Sequence, residues 1–251
     1  MTHAPVRTRL LLWLRVHRLR LLILFAGVLI PLWIFGLLAE DVVDREQFFF
    51  DAPILVFMHS RATPTLDTIM LFFSLVGYRF GVVPIDLLVL LLLVVRRRWG
   101  DVLFWSLAVG GAAILNLAAK RSFGRIRPDL WLSIAPETTF SFPSGHAMAA
   151  ASIYATIAIV IGRLAPAARP TLMFAAPILI FAIGLSRIYL GAHWVTDVLA
   201  GFAAGAALTL LGTLWLCRAT PASVSSAASA VPAATRDQML KVESLEKRES
   251  S

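Results

Sequence analysis

From Leu21 to Cys217 the sequence is a succession of apolar runs, and most of its charged residues are confined to the stretches between them. The runs cover Leu21 to Ala39, Leu66 to Val95 (long enough for a short helix, a break at Gly77-Tyr78-Arg79 and then a full span), Val102 to Ala119, Ala147 to Gly162, Pro170 to Ser186 and Val195 to Cys217. A helix that crosses a bilayer needs about 20 apolar residues, or slightly fewer when its ends lie at the interface. Only 15% of the 251 residues are charged and 59% are hydrophobic, against about 25% charged in soluble domains. The expected fold is therefore all-α, an integral-membrane bundle of about six helices with an active site at one membrane face. Three parts are expected. Residues 1–65 hold a basic segment, a first membrane helix and an acidic, interfacial loop; residues 66–217 form the core; residues 218–251 form a flexible tail rich in Ala, Ser, Pro and Thr, then charged.

The first run is too long for the apolar part of a signal peptide, and no small-x-small cleavage site follows it, so it is expected to stay as a membrane helix. The formal net charge of +8 does not point to nucleic acid, because the basic residues sit at the ends of apolar runs instead of forming a face with interleaved aromatics. With an N-terminus in the cytoplasm, six spans put the N-terminal arginines, Arg96-Arg97-Arg98, Arg163 with Arg169, and Arg218 all inside. Both termini are then cytoplasmic, and the loop from Lys120 to Gly145 faces the periplasm or exterior of an inner (plasma) membrane. That loop is basic against the positive-inside trend, which suggests that its charges serve chemistry. A single cysteine, Cys217, allows no intrachain disulfide and no cysteine metal site.

Chemistry gathers at the loop ends. In Ser186-Arg187-Ile188-Tyr189-Leu190-Gly191-Ala192-His193-Trp194-Val195-Thr196-Asp197, a helix starting near His193 would place Asp197 on the same face. The carboxylate can then fix the tautomer of the ring and leave the other nitrogen free to attack, although such a pair is more often structural. Arg187 can hold phosphate or carboxylate oxygens in its planar fork. The loop adds Lys120, Arg127 ahead of Pro128, and then Pro143-Ser144-Gly145-His146 at the head of the next helix. There, Ser144 and the free backbone donors of a helix N-terminus favour an anion, and Gly145 admits close approach. Three cations, a hydroxyl and backbone N–H groups suit phosphate and the transition state of its transfer.

Lys120-x6-Arg127-Pro128, Pro143-Ser144-Gly145-His146 and Ser186-Arg187-x5-His193-x3-Asp197 resemble, in order and without departure, the three motifs of the type 2 phosphatidic acid phosphatase superfamily. The resemblance implies that His193 is the nucleophile that forms a phosphohistidine and that Asp197 orients it. It implies that His146 is the acid that protonates the leaving oxygen, and that Lys120, Arg127, Ser144, Gly145 and Arg187 bind the phosphoryl oxygens. No metal or cofactor is implied. The expected substrate is a lipid phosphate monoester or diphosphate, of the undecaprenyl diphosphate, phosphatidate or phosphatidylglycerophosphate type, and the partners are membrane lipids. Phosphotransfer to another lipid through the same site is the alternative enzyme, with haloperoxidase chemistry weaker. An anion or lipid transporter is the non-enzymatic alternative, and it fits less well because the charges lie at span ends, not at the midplane.

Several residues have simpler readings. Arg121 is expected at headgroups, while Arg125 stays open between headgroups and the site. Asn116 is expected to make polar contacts inside the bundle, and Asp86 to find a structural partner such as Arg79 or a polar group on a neighbouring helix. Gly110-Gly111 and the small residues Gly201 to Ala206 are expected to allow close helix packing.

Overall fold

The computed structural model describes residues 18, 19, 22, 25–78 and 80–219, with backbone alone for 214–219. The arginines at 7, 9, 15 and 20, Arg79, the side chain of Arg218 and the tail beyond 219, with the short helix expected around Met239 to Leu245, lie outside the described residues. The chain divides into two units, Met1–Leu216 and Cys217–Ser251, and every side chain discussed below belongs to the first.

Among the described residues there are eight helices of ten or more residues and no strand. They are α1 (Phe25–Val43, opening with a π-helical turn), α2 (Asp51–Ser60), α3 (Pro64–Val76), α4 (Val82–Val95), α5 (Trp99–Phe123), α6 (Gly145–Leu164), α7 (Arg169–Tyr189) and α8 (Val195–Ala219). Five stretches are long and apolar enough to cross a membrane: Phe25–Val43, Trp99–Phe123, Gly145–Leu164, Pro166–Tyr189 and Val195–Thr213. Their outer faces are apolar too, with Ile114 72%, Phe174 74% and Phe181 63% exposed, an arrangement that water would not tolerate over so much surface. The chain is a multi-pass membrane protein.

The run from Leu66 to Val95 breaks into α3 and α4, of 13 and 14 residues. At about 1.5 Å per residue each is near 20 Å long, short of a hydrocarbon core of about 30 Å. Their contacts place them in series. Asp67 at the start of α3 accepts from Tyr189 Oη at the end of α7 (2.8 Å), Tyr154 Oη in mid-α6 donates to the Val76 carbonyl (3.1 Å), and Arg98 beyond α4 donates to Asp101 (2.8 Å), beside Arg163. The pair thus runs in series along the bundle, from the end of α7 toward Asp101 and Arg163. Asp86 in α4 accepts from Trp105 Nε1 of α5 at 2.5 Å, the polar neighbour expected for it.

Local signals set the ends that matter. Thr63 caps α3, its Oγ1 accepting from Leu66 N (3.3 Å), with Pro64 in the first turn. Gly124, at φ 59°, closes α5 by donating its N–H to the Lys120 carbonyl (3.1 Å). Gly201 and Gly205 let α8 lie against α6, since a Cβ on either would stand 2.6 Å from the carbonyl of Ser144 or Met148. Gly110 and Gly111 do not play that part, because nothing lies within 4 Å of where their Cβ would be. α1 packs on this core through Phe35, whose ring meets Phe123 and Phe142. α2, too short to span, packs through Leu55 beside Ala147, Ile188 and Val198. The C-terminal ends of α5 and α7 and the N-terminal ends of α6 and α8 meet at one end of the bundle. Arg96 to Arg98, Arg163 and Arg169 lie at the other.

Candidate active site

His193 lies in the turn between α7 and α8, two residues before α8 begins. The turn is tight. The Arg187 carbonyl accepts from Ala192 N (3.1 Å) and His193 N (3.3 Å), and Gly191 takes φ 65° beneath Trp131, whose ring would meet a Cβ there at 2.6 Å. Asp197, in the first turn of α8, accepts from the Trp194 N–H (2.9 Å), as an acidic third residue of a helix reaches back to its cap. The four-residue step therefore brings the pair together although the ring precedes the helix: His193 Nδ1 is 3.3 Å from Asp197 Oδ2, and both residues are fully buried.

The tautomer follows from the other side of the ring. Arg127 Nη1 lies 3.1 Å from His193 Nε2, and a guanidinium has only donors, so Nε2 offers its lone pair and the proton belongs on Nδ1, toward Asp197. Arg127 is otherwise a tie between loop and turn. It donates to the Ala192 carbonyl (2.5 Å), the Thr139 carbonyl (2.5 Å) and Thr139 Oγ1 (2.9 Å). Lys120 Nζ reaches that same hydroxyl (3.1 Å) and the Phe140 carbonyl (2.5 Å) from the last turn of α5.

A residue that the motifs do not contain sits at the centre. The Glu137 carboxylate accepts from Arg127 Nη2 (2.9 Å) through one oxygen and from Arg187 Nη2 through the other, which also lies 3.8 Å from His146 Nδ1 at the head of α6. Arg187, 1% exposed, is held from behind by Ser74 of α3 (2.5 Å). Ser144 Oγ and Arg187 Nε, both buried, have no hydrogen-bond partner among the described residues. Gly145 opens α6, and its missing Cβ leaves room for Asn116 Oδ1, which a Cβ there would meet at 3.1 Å. Asn116 in turn donates to the Pro143 carbonyl (3.2 Å), which is the bundle contact expected of it.

The electrostatics follow from burial and from this crowding of cations. Burial first, then Arg127, Arg187 and Lys120, hold the His193 imidazole well below its ordinary pKa against the opposing pull of Glu137. Burial pulls Glu137 upward, but Arg187 and Arg127 outweigh it and keep the carboxyl below its usual range. Burial also lowers Arg127, partly offset by Glu137 and Asp197. The ring is thus neutral and the carboxylate charged near neutral pH.

All eight residues expected at the site lie at this end of the bundle. His193, Asp197, Arg127, Arg187 and His146 are linked directly or through Glu137, and Lys120 is linked through Thr139. Ser144 joins through its backbone, whose N–H donates to the Asp197 carbonyl (2.9 Å). Arg125 belongs here as well: Nη1 donates to Asp197 Oδ1 (2.6 Å) and Nη2 to Asp51 Oδ2 (2.9 Å). Arg121 stays exposed. Sequence reasoning missed Glu137, Asp51, Ser141, which donates to Asp197 Oδ2, and Ser74. Only Glu137 left a signal, as the sole charged residue between Asp129 and His146 in a loop of cations.

Among the described residues no cluster of three or more His, Cys, Asp or Glu could hold a metal ion. Residues 101–221 match the model of the PAP2 superfamily. Phosphatidylglycerophosphatase B of Bacillus subtilis is 39% identical over 119 residues, 46% of this chain and 58% of that protein, so the chain spans little more than half of that relative. An undecaprenyl-diphosphatase of Sulfolobus acidocaldarius is 27% identical over 179 residues, 66% of this chain and 79% of that one. The crystal structure of a transmembrane PAP2-type phosphatidylglycerolphosphate phosphatase from Bacillus subtilis superposes with a TM-score of 0.69 at 28% identity, covering 76% of this chain and 98% of the other. The stretch that matches the PAP2 family model is the one that carries His146, His193 and most of the cations around them, and the chain shares its fold with a solved PAP2-type phosphatase.

Proposed function

We propose that the protein is an integral-membrane lipid phosphatase that hydrolyses a phosphate monoester or diphosphate of an isoprenoid or glycerolipid through a phosphohistidine. The observation that carries this reading is the Glu137 carboxylate. Two guanidiniums already hold an oxyanion beside His146, and one of them touches the lone-pair nitrogen of His193. A phosphoryl group in that place would meet Arg127, Arg187, Lys120, the unpartnered Ser144 hydroxyl and the first N–H groups of α6, beginning at Gly145.

In the first step the Nε2 lone pair of His193 attacks phosphorus and the bond from phosphorus to the lipid oxygen breaks, His146 giving that oxygen its proton. The Nδ1 proton stays toward Asp197, whose charge stabilises the phosphorylated ring. In the second step His146 takes a proton from water, the water oxygen attacks phosphorus, and the N–P bond breaks to release phosphate. Every role is filled by this chain's own side chains, so no metal is required. The relatives' names point to phosphatidylglycerophosphate and undecaprenyl diphosphate as first substrates. The arginine-rich end lies opposite the site, and the positive-inside trend then puts both termini in the cytoplasm and the site outside an inner or plasma membrane.

The test is phosphate release by the purified protein in detergent from phosphatidate, phosphatidylglycerophosphate and undecaprenyl diphosphate, with EDTA present. Release that persists in EDTA is expected; release that EDTA abolishes and added metal restores would overturn the metal-independent reading. If Glu137 stands where phosphate goes, Glu137→Gln removes a competing charge worth about one charge-assisted hydrogen bond. Vanadate should then inhibit at concentrations about tenfold lower than for the wild type. An unchanged inhibition constant would place the phosphate site elsewhere.

A further inference from the structure

Asp51 lies outside all three motifs, as the first residue of the short helix α2, and it is 3% exposed. Both of its oxygens are engaged with the site. Oδ1 accepts from Thr196 N (3.0 Å), and Oδ2 accepts from Thr196 Oγ1 (2.7 Å) and Arg125 Nη2 (2.9 Å). The other end of the Arg125 fork donates to Thr196 Oγ1 (2.7 Å) and to Asp197 Oδ1 (2.6 Å). One guanidinium is therefore clamped between two carboxylates, one of which faces the imidazole.

We propose that Asp51 is a positioning residue for His193, acting through Arg125 and Thr196 to hold the Asp197 carboxylate against the ring. This rests on the histidine phosphatase reading above. Asp197 Oδ2 is shared among His193, Ser141 and the Trp194 N–H, and the His193 contact, at 3.3 Å, is the longest of the three. A small rotation of the carboxylate loses that contact first. Ser141 and the Trp194 N–H hold Oδ2, but Oδ1 is held by the single bond from Arg125, and among the described residues the only other anion on Arg125 is Asp51. Two carboxylates against one guanidinium also leave a net negative charge behind the ring, where positive charge develops as Nε2 takes the phosphoryl group.

The surroundings make the idea testable. Asp51 and Arg125 line a cavity of about 770 Å³ shared with Phe48, Phe123 and Trp194, so a small carboxylate can reach the place of a truncated Asp51 side chain. The experiment compares full-length wild type, Asp51→Ala, Asp51→Asn and His193→Ala in detergent, with phosphatidate or undecaprenyl diphosphate as substrate, in sodium formate and in sodium chloride of equal ionic strength. For Asp51→Ala, kcat falls by about a hundredfold, the effect expected of a small misplacement at the reacting centre, while KM stays near wild type. Formate restores most of the lost kcat and chloride does not. Asp51→Asn keeps the volume but not the charge and shows the same split without rescue, which keeps the test open if the alanine variant does not fold. A wild-type kcat in either folded variant, a loss confined to KM, or a folded Asp51→Ala that formate leaves unrescued overturns the proposal. A wild type that releases no phosphate, or a His193→Ala that matches it, overturns the phosphatase reading, and the positioning role falls with it.

Discussion

Replacing His193 by alanine is expected to lower kcat for phosphate release by about 10⁴-fold or more, the scale seen when a covalent nucleophile is removed from a site whose other parts survive. The ring is fully buried, and its Nε2 offers the lone pair that Arg127 faces. The cations themselves do not depend on the ring. Arg127 keeps the carbonyls of Ala192 and Thr139, and Arg187 keeps Ser74 and Glu137. The variant should therefore still bind vanadate within a fewfold of the wild-type constant while losing turnover. Steady-state phosphate release, an inhibitor titration and acid-labile phosphoenzyme trapping check both halves. A His193→Ala protein within about tenfold of wild-type kcat would mean that another group attacks phosphorus.

Asp197→Asn is expected to reduce kcat by about 10³- to 10⁴-fold, for a different reason. Four donors converge on the two carboxylate oxygens: Arg125 on Oδ1, and Ser141, the Trp194 N–H and His193 on Oδ2. An amide has a single acceptor oxygen, so its NH2 group must face a donor. Turned toward Arg125, it breaks the ion pair to a buried cation. Turned toward His193, it pushes the ring proton to Nε2 and removes the nucleophilic lone pair. Either arrangement should also destabilise the fold by about 1–3 kcal/mol, the penalty for leaving a buried donor unpaired. Thermal unfolding in detergent and the histidine tautomer read by nitrogen NMR separate the two arrangements. A variant with wild-type turnover would show that the ring needs no anion behind it.

The expected and observed molecules agree most closely where a short stretch of chain carries its own explanation. His193 and Asp197 meet because helix geometry brings i and i+4 together at the head of α8. The run from Leu66 to Val95 is the harder case. Its break at Gly77-Tyr78 was legible, but the second piece, α4, is too short to be the full span expected after it, and how the two pieces line up depends on where Tyr189, Tyr154 and Trp105 catch them. The opposite failure is seen at Gly110-Gly111, where a small-residue pair promised close packing and nothing lies within 4 Å of where either Cβ would stand.

Apolar run length, the arginines at one end of the runs and three spaced motifs were enough to specify a membrane bundle with a phosphate-shaped set of side chains. They could not specify which other groups complete it. Glu137 on Arg187, Ser141 on Asp197, Ser74 on Arg187 and Asp51 on Thr196 join residues 50 to 145 positions apart. An acid in a loop or at a helix start has the same sequence signature whether water or a buried guanidinium receives its charge. In a low-dielectric interior an unpaired charge is too costly to keep, so packing of the helix ends selects the partner, and that selection is made by distance in space.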